Sequence, residues 1–133
     1  MCGIYGYAGL NVDSTRYLDK GLSKLVHRGP DGTGQYTFQN LGISMSRLAI
    51  NEIQTGTQPF ISNDKRYATV FNGEIYNYKD LTVELGLPPH TSEAEIITQL
   101  FIKSGFDFVD LLDGMFAIAI LDTNTRSLYL FRD

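Results

Sequence analysis

Residues 115–131 read MFAIAIL-DTNTR-SLYLF: an apolar run, five polar residues and a second apolar run. The first run is far shorter than a bilayer is thick, so it reads as a buried strand, and the whole stretch predicts a hairpin. Working back along the chain, YATVFNGEIY (67–76) is a further strand, entered through the polar turn NDKR (63–66). In LGISMSRLAI (41–50) apolar residues alternate at Leu41, Ile43 and Met45, then resume at Leu48 and Ile50. The phase slips by one across Ser46–Arg47, which fits a bulge or a strand end, devices that re-aim side chains near functional sites. Residues 3–8 form the first strand.

Between the strands lie helical signals. From Tyr17 the apolar residues come in pairs four apart, Tyr17–Leu18, Gly21–Leu22 and Leu25–Val26, an amphipathic helix stopped by Gly29–Pro30. Tyr78 to Leu85 predicts a short helix, stopped by Gly86 and Pro88–Pro89. A further helix starts at Ser92, where Ser92 and Glu95 form a capping box and Ile96, Ile97, Leu100 and Phe101 form the buried face. Residues 106–112 continue as a helical turn. Strand blocks separated by helices, without regular βαβ alternation, indicate an α+β fold of antiparallel sheets with helices on their faces.

Composition narrows the function. The 133 residues fit one domain, 1–133, with no repeat or linker. Eleven basic and fifteen acidic side chains give −4 with no basic cluster, which argues against nucleic acid as a partner, and nothing approaches a membrane span. The N-terminus lacks the basic flank and uninterrupted apolar run of a signal peptide. A single cysteine and two histidines offer neither an internal disulfide nor a zinc site, so the expectation is a metal-free protein of the reducing cytoplasm.

That one cysteine is Cys2. It reads in two ways. As a small apolar residue it simply leads into the first strand. If Met1 is removed, it instead carries a thiol and a free α-amine on one residue. The amine, with a reference pKa of about 7.7–8.0, can take the thiol proton directly or through water. Acyl chemistry also needs donors for an oxyanion, and FNGEIYN (71–77) offers the Asn72 side-chain amide and the Gly73 backbone N–H. Asn-Gly is equally a favoured hairpin-turn dipeptide, and both readings stand at this point.

MCGIYG (1–6), HRGPDG (27–32), SRLAI (46–50), FNGEIYNY (71–78), SEAEII (92–97) and LDGMFAIAILD (112–122) occur in that order. As an ordered set this resembles the N-terminal glutaminase domain of class II glutamine amidotransferases, nearest the asparagine synthetase branch, and it covers essentially the whole chain. The resemblance implies an αββα sandwich of two antiparallel sheets, the N-terminal nucleophile hydrolase type, with Cys2 as the nucleophile toward the side-chain amide of L-glutamine. It implies Asn72 and Gly73 as the oxyanion pair and Arg47 as the ligand of the substrate α-carboxylate. Glu74 and Glu93 would hold the amino end. HRGPD (27–31) matches a segment near the active site to which no chemical step is assigned.

Two departures qualify this expectation. The family pattern has Ser-Asp where this chain has Ser92–Glu93; the added methylene moves the carboxylate by roughly 1.5 Å. The connection from Gly86 to Thr91 is also shortened. The resemblance further implies a C-terminally shortened domain: the sequence stops at LYLFRD (128–133), and no synthetase domain or phosphate-binding glycine loop lies within 1–133. Cofactors are therefore expected to be none in this chain, with ATP and magnesium confined to a separate synthetase domain or chain that receives the ammonia. The apolar strand Leu128–Phe131 at a sheet edge makes a homodimer an expected option. The alternative to a glutaminase is a catalytically weak module that binds glutamine or a partner chain.

Overall fold

The computed structural model describes residues 2–9, 13–48 and 56–133. The first strand, β1 (Gly3–Ala8), leads to helix α1 (Ser14–Leu25), which is capped by Asp13 accepting the Arg16 N–H. Helix α1 does not run on to the predicted stop. It tightens into a 3₁₀ turn over Val26–Arg28 that delivers the chain to Gly29. Strands β2 (Gly32–Phe38) and β3 (Leu41–Arg47) follow, and β1-β3-β2 make a three-stranded antiparallel sheet.

The second sheet is antiparallel and four-stranded, in the order β4-β5-β6-β7. Its strands are β4 (Phe60–Ile61), β5 (Tyr67–Ile75), β6 (Gly114–Asp122) and β7 (Ser127–Arg132). Helices α2 (Tyr78–Glu84) and α3 (Glu93–Ser104) come between β5 and β6, with a 3₁₀ segment over Gly105–Leu111. The hairpin of residues 115–131 is thus β6–β7, and its turn is held by Asp122, which accepts the N–H groups of Asn124 and Thr125.

Two apolar cores give the layering. Leu41, Ile43 and Met45 of β3 meet Ala68 and Val70 of β5 and Ala119 and Leu121 of β6 between the sheets. Phe71, Ile75, Ile118 and Ile120 on the opposite face of the second sheet meet Ile96, Ile97, Leu100 and Phe101 of α3. Helix α1 covers the outer face of the first sheet, with Leu18 and Leu22 buried. Each buried leucine of this kind stabilises the fold by roughly 1.5–3 kcal/mol. The result is the expected α+β sandwich of two antiparallel sheets flanked by helices.

The phase slip at Ser46–Arg47 is a strand end: β3 stops at Arg47. Its polar positions are nonetheless buried, because β3 is the central strand and is covered on both faces. Ser44 and Ser46 satisfy their hydroxyls on the carbonyls of Tyr5 and Gly29. The continuation of the alternation to Ile50 lies outside the described residues.

Candidate active site

Cys2 immediately precedes β1 and is half-buried against the core between the sheets. Contacts with Leu48 and Arg28 hold it. Its Sγ accepts the Leu48 N–H at 3.4 Å and faces the Leu48 carbonyl at 3.7 Å, while its own carbonyl accepts from Arg28 Nε at 3.1 Å. The HRGPD segment therefore has a clear structural task. Gly29 lies so close to β3 that a Cβ would collide with the Ser46 carbonyl and the Arg47 backbone, and its carbonyl takes the Ser46 hydroxyl at 2.7 Å. Asp31 N–H then bonds the Arg47 carbonyl at 3.0 Å, so Cys2, Arg28 and Arg47 share one end of the first sheet.

Asn72, Gly73 and Glu74 lie near the end of β5, and the hairpin-turn reading of Asn72–Gly73 is overturned. The strand runs straight through both residues, with Asn72 opposite Ala117 and Gly73 opposite Phe116 on β6. Gly73 has φ +148°, and a Cβ there would collide with the Met115 carbonyl, so only glycine suits the position. Side chains alternate across a strand. Phe71 and Ile75 face α3, and Val70 faces the first sheet. Asn72 and Glu74 thus share the Val70 face, the one turned toward the sheet that bears Cys2. Strand β1 itself packs against β5.

Backbone direction on β5 follows the same parity. Antiparallel ladders alternate between pairs that exchange hydrogen bonds and pairs that do not. The Phe71 N–H turns away from β6, to Gln58 Oε1 at 2.6 Å, and the Ile75 N–H does the same, to Glu93 Oε1 at 2.7 Å. Gly73, midway between them, directs its N–H to the same edge. In agreement, the carbonyl of its partner Phe116 points toward the far side, accepting Asp133 N–H at 3.1 Å. Among the described residues, strand β4 covers this edge as far as Ala68 and Thr69.

Glu93, the first residue of α3, is thus brought to β5 beside Glu74, with one carboxylate oxygen on the strand backbone. Gln58 and Arg28 are the residues that sequence reasoning missed as structural members of this region. Their only sequence signal was position, Arg28 within HRGPD and Gln58 just before a proline.

A half-buried thiol at one sheet end, packed on the core shared with a strand that carries an amide side chain and a directed N–H, is an arrangement suited to acyl transfer. The family model described as "Glutamine amidotransferase domain" matches residues 1–133, and the chain belongs to that family. The curated relatives it resembles include asparagine synthetases. It is 36% identical over 140 residues to asparagine synthetase [glutamine-hydrolyzing] 2 of Bacillus subtilis, covering 100% of this chain and 19% of that protein. It is 40% identical over 138 residues to asparagine synthetase [glutamine-hydrolyzing] 3 of Arabidopsis thaliana, again covering 100% of this chain and 24% of the other. The chain therefore spans about a fifth to a quarter of these relatives. Among solved structures, the glutamine phosphoribosylpyrophosphate amidotransferase of B. subtilis matches 92% of this chain and 35% of its own, with a TM-score of 0.68 at 20% identity, a likeness of fold. Among the described residues no helix is long and apolar enough to cross a membrane.

Proposed function

We propose that this domain hydrolyses the side-chain amide of L-glutamine through Cys2 once Met1 has been removed. The freed α-amine takes the thiol proton, and Sγ attacks the carboxamide carbon. The oxyanion that forms accepts hydrogen bonds from the Asn72 side-chain amide and the Gly73 N–H. Collapse breaks the C–N bond, the amine returns its proton to the leaving nitrogen, and ammonia departs from a glutamyl thioester. Water then cleaves the thioester, giving glutamate and restoring the thiol.

Arg47 takes the substrate α-carboxylate, where a guanidinium fork matches a carboxylate in shape and charge. Glu74 takes the α-ammonium, with Glu93 adding its charge beside it. These steps balance without a cofactor on this chain. Ammonia passes to an acceptor outside the 133 residues; the relatives' names make a synthetase domain or chain the natural candidate, and any ATP and magnesium would act there rather than on this chain.

The observation that carries this reading is the Cys2 thiol held by Leu48 just ahead of β1, a strand packed against β5, on which Asn72 lies on the face toward the first sheet and the Gly73 N–H points to the edge. The test is intact mass before and after exposure to a glutamine-mimicking diazoketone. Loss of Met1, one adduct at Cys2 and protection by excess glutamine are expected, together with loss of glutamate release in Cys2→Ala. A processed chain that forms no adduct, or turnover that survives Cys2→Ala, overturns the proposal. Saturable glutamine binding without product would leave the domain as a binding module.

A further inference from the structure

The two halves of the proposed site belong to different sheets, and Gln58 joins them. Its backbone is pressed against β2 in the Cys2-bearing sheet: a Cβ at Gly34 would collide with the Gln58 carbonyl oxygen and crowd the Pro59 ring. Its side chain crosses to the other sheet, where Oε1 accepts the Phe71 N–H at 2.6 Å. That N–H is two residues before Gly73 and points to the same strand edge. Among the described residues strand β4 ends its pairing at Thr69, and beyond that point Gln58 takes up the Phe71 N–H and Glu93 the Ile75 N–H.

We propose that Gln58 is a positioning residue for the oxyanion site. It fixes the register of β5 against the nucleophile-bearing sheet, so that the Gly73 N–H and the Asn72 amide sit at the depth the oxyanion needs. This inference rests on the glutaminase reading above. An oxyanion donor acts on the transition state and little on bound substrate, so loosening it lowers kcat and leaves KM. Misplacement on the order of an ångström costs about a hundredfold in rate.

Gln58→Met keeps the length of the side chain and removes the acceptor; Gln58→Glu keeps an acceptor oxygen. Expected for Gln58→Met are a kcat lower by roughly ten- to a hundredfold, a glutamine KM within about threefold of the parent, and faster amide hydrogen exchange at Phe71. Gln58→Glu restores most of kcat. Gly34→Ala, which displaces the same backbone from the other sheet, also lowers kcat.

Unchanged kcat in Gln58→Met despite lost protection at Phe71 overturns the inference, as does a loss that appears in KM alone. Failure of Gln58→Glu to exceed Gln58→Met also overturns it. Thermal melts separate these outcomes from unfolding; should Gln58→Met not fold, the Gly34→Ala and Gln58→Glu comparison decides. Absence of Cys2-dependent turnover in the parent chain removes the glutaminase reading itself, a different result from an active parent that is insensitive at Gln58.

Discussion

Arg28 Nε donates to the carbonyl oxygen of Cys2 at 3.1 Å, joining residues 26 positions apart. On the proposed reading Cys2 becomes the chain end once Met1 is removed, and chain ends fray unless tied down. Here the guanidinium supplies the tie while remaining exposed at the surface.

Arg28→Ala is therefore expected to slow Cys2 alkylation by about tenfold, since the thiol samples more geometries. The melting temperature should barely move, because exposed substitutions usually stay within about 0.5 kcal/mol. Arg28→Lys should not restore the rate: an ammonium lacks the planar Nε–H that the carbonyl accepts. Labelling kinetics followed by mass spectrometry, alongside a thermal melt, check both points.

At Gly73 a small change should be severe. Alanine would have to hold φ near +148° with its Cβ against the Met115 carbonyl and the Phe116 Cα. Such strain costs roughly 1–3 kcal/mol, and here it also pushes β5 away from β6. Gly73→Ala is expected to lower the urea midpoint and to remove glutamate release. A variant with parental stability and turnover would show that the conformation is not needed.

The periodic parts of this fold were legible in the sequence. Apolar spacing is a direct trace of which face is buried, and it located β6–β7, α1 and α3. Local preferences misled where pairing outweighed them. Asn72–Gly73 has the chemistry of a turn, yet nine residues of β5 pair with β6 straight through it. Asn77 begins α2 by its backbone, but its side chain does not cap the helix. It accepts from Asp113 N–H at 3.0 Å and donates to the Leu111 carbonyl at 2.9 Å, because the chain returns past it there. Gln58 and Arg28 left no periodic trace. Their partners are 13 and 26 residues away, and a single long-range hydrogen bond changes nothing in local spacing.

Stability should fall in acid through Asp122. Burial pushes its carboxyl up, but the paired bonds from Arg66 at 3.1 and 2.8 Å and the amides of Asn124 and Thr125 outweigh it, leaving it below its ordinary value of 3.8. A carboxyl lowered on folding binds fewer protons in the native state. Its stabilisation is complete above the unfolded value and is lost as pH falls through the folded one. Asp122→Asn should lower Tm at neutral pH, by on the order of 5 °C, and flatten the loss of Tm below about pH 4. Melts from pH 7 down to 2.5 test the sign.

Buried hydroxyls join α3 to β5, and their proton accounting makes an asymmetric prediction. Thr69 and Thr98 are both fully buried, with their Oγ1 atoms 2.7 Å apart. Thr98 Oγ1 also lies 2.7 Å from the Ala94 carbonyl, which can only accept. A hydroxyl has one proton, so Thr98 donates to Ala94 and Thr69 donates to Thr98. Thr69→Val leaves the Thr98 donor satisfied and should be mild. Thr98→Val strands the Thr69 donor in the core and should cost about 1–3 kcal/mol. The double variant removes both polar groups while keeping their shape, so it should recover most of that loss. Urea denaturation of the four proteins in the cycle gives the coupling. Equal losses in the two single variants would void the proton assignment. The expected order would make this pair one of the contacts, beside the apolar packing of α3, that seat the helix and Glu93 on the strand carrying Asn72 and Gly73.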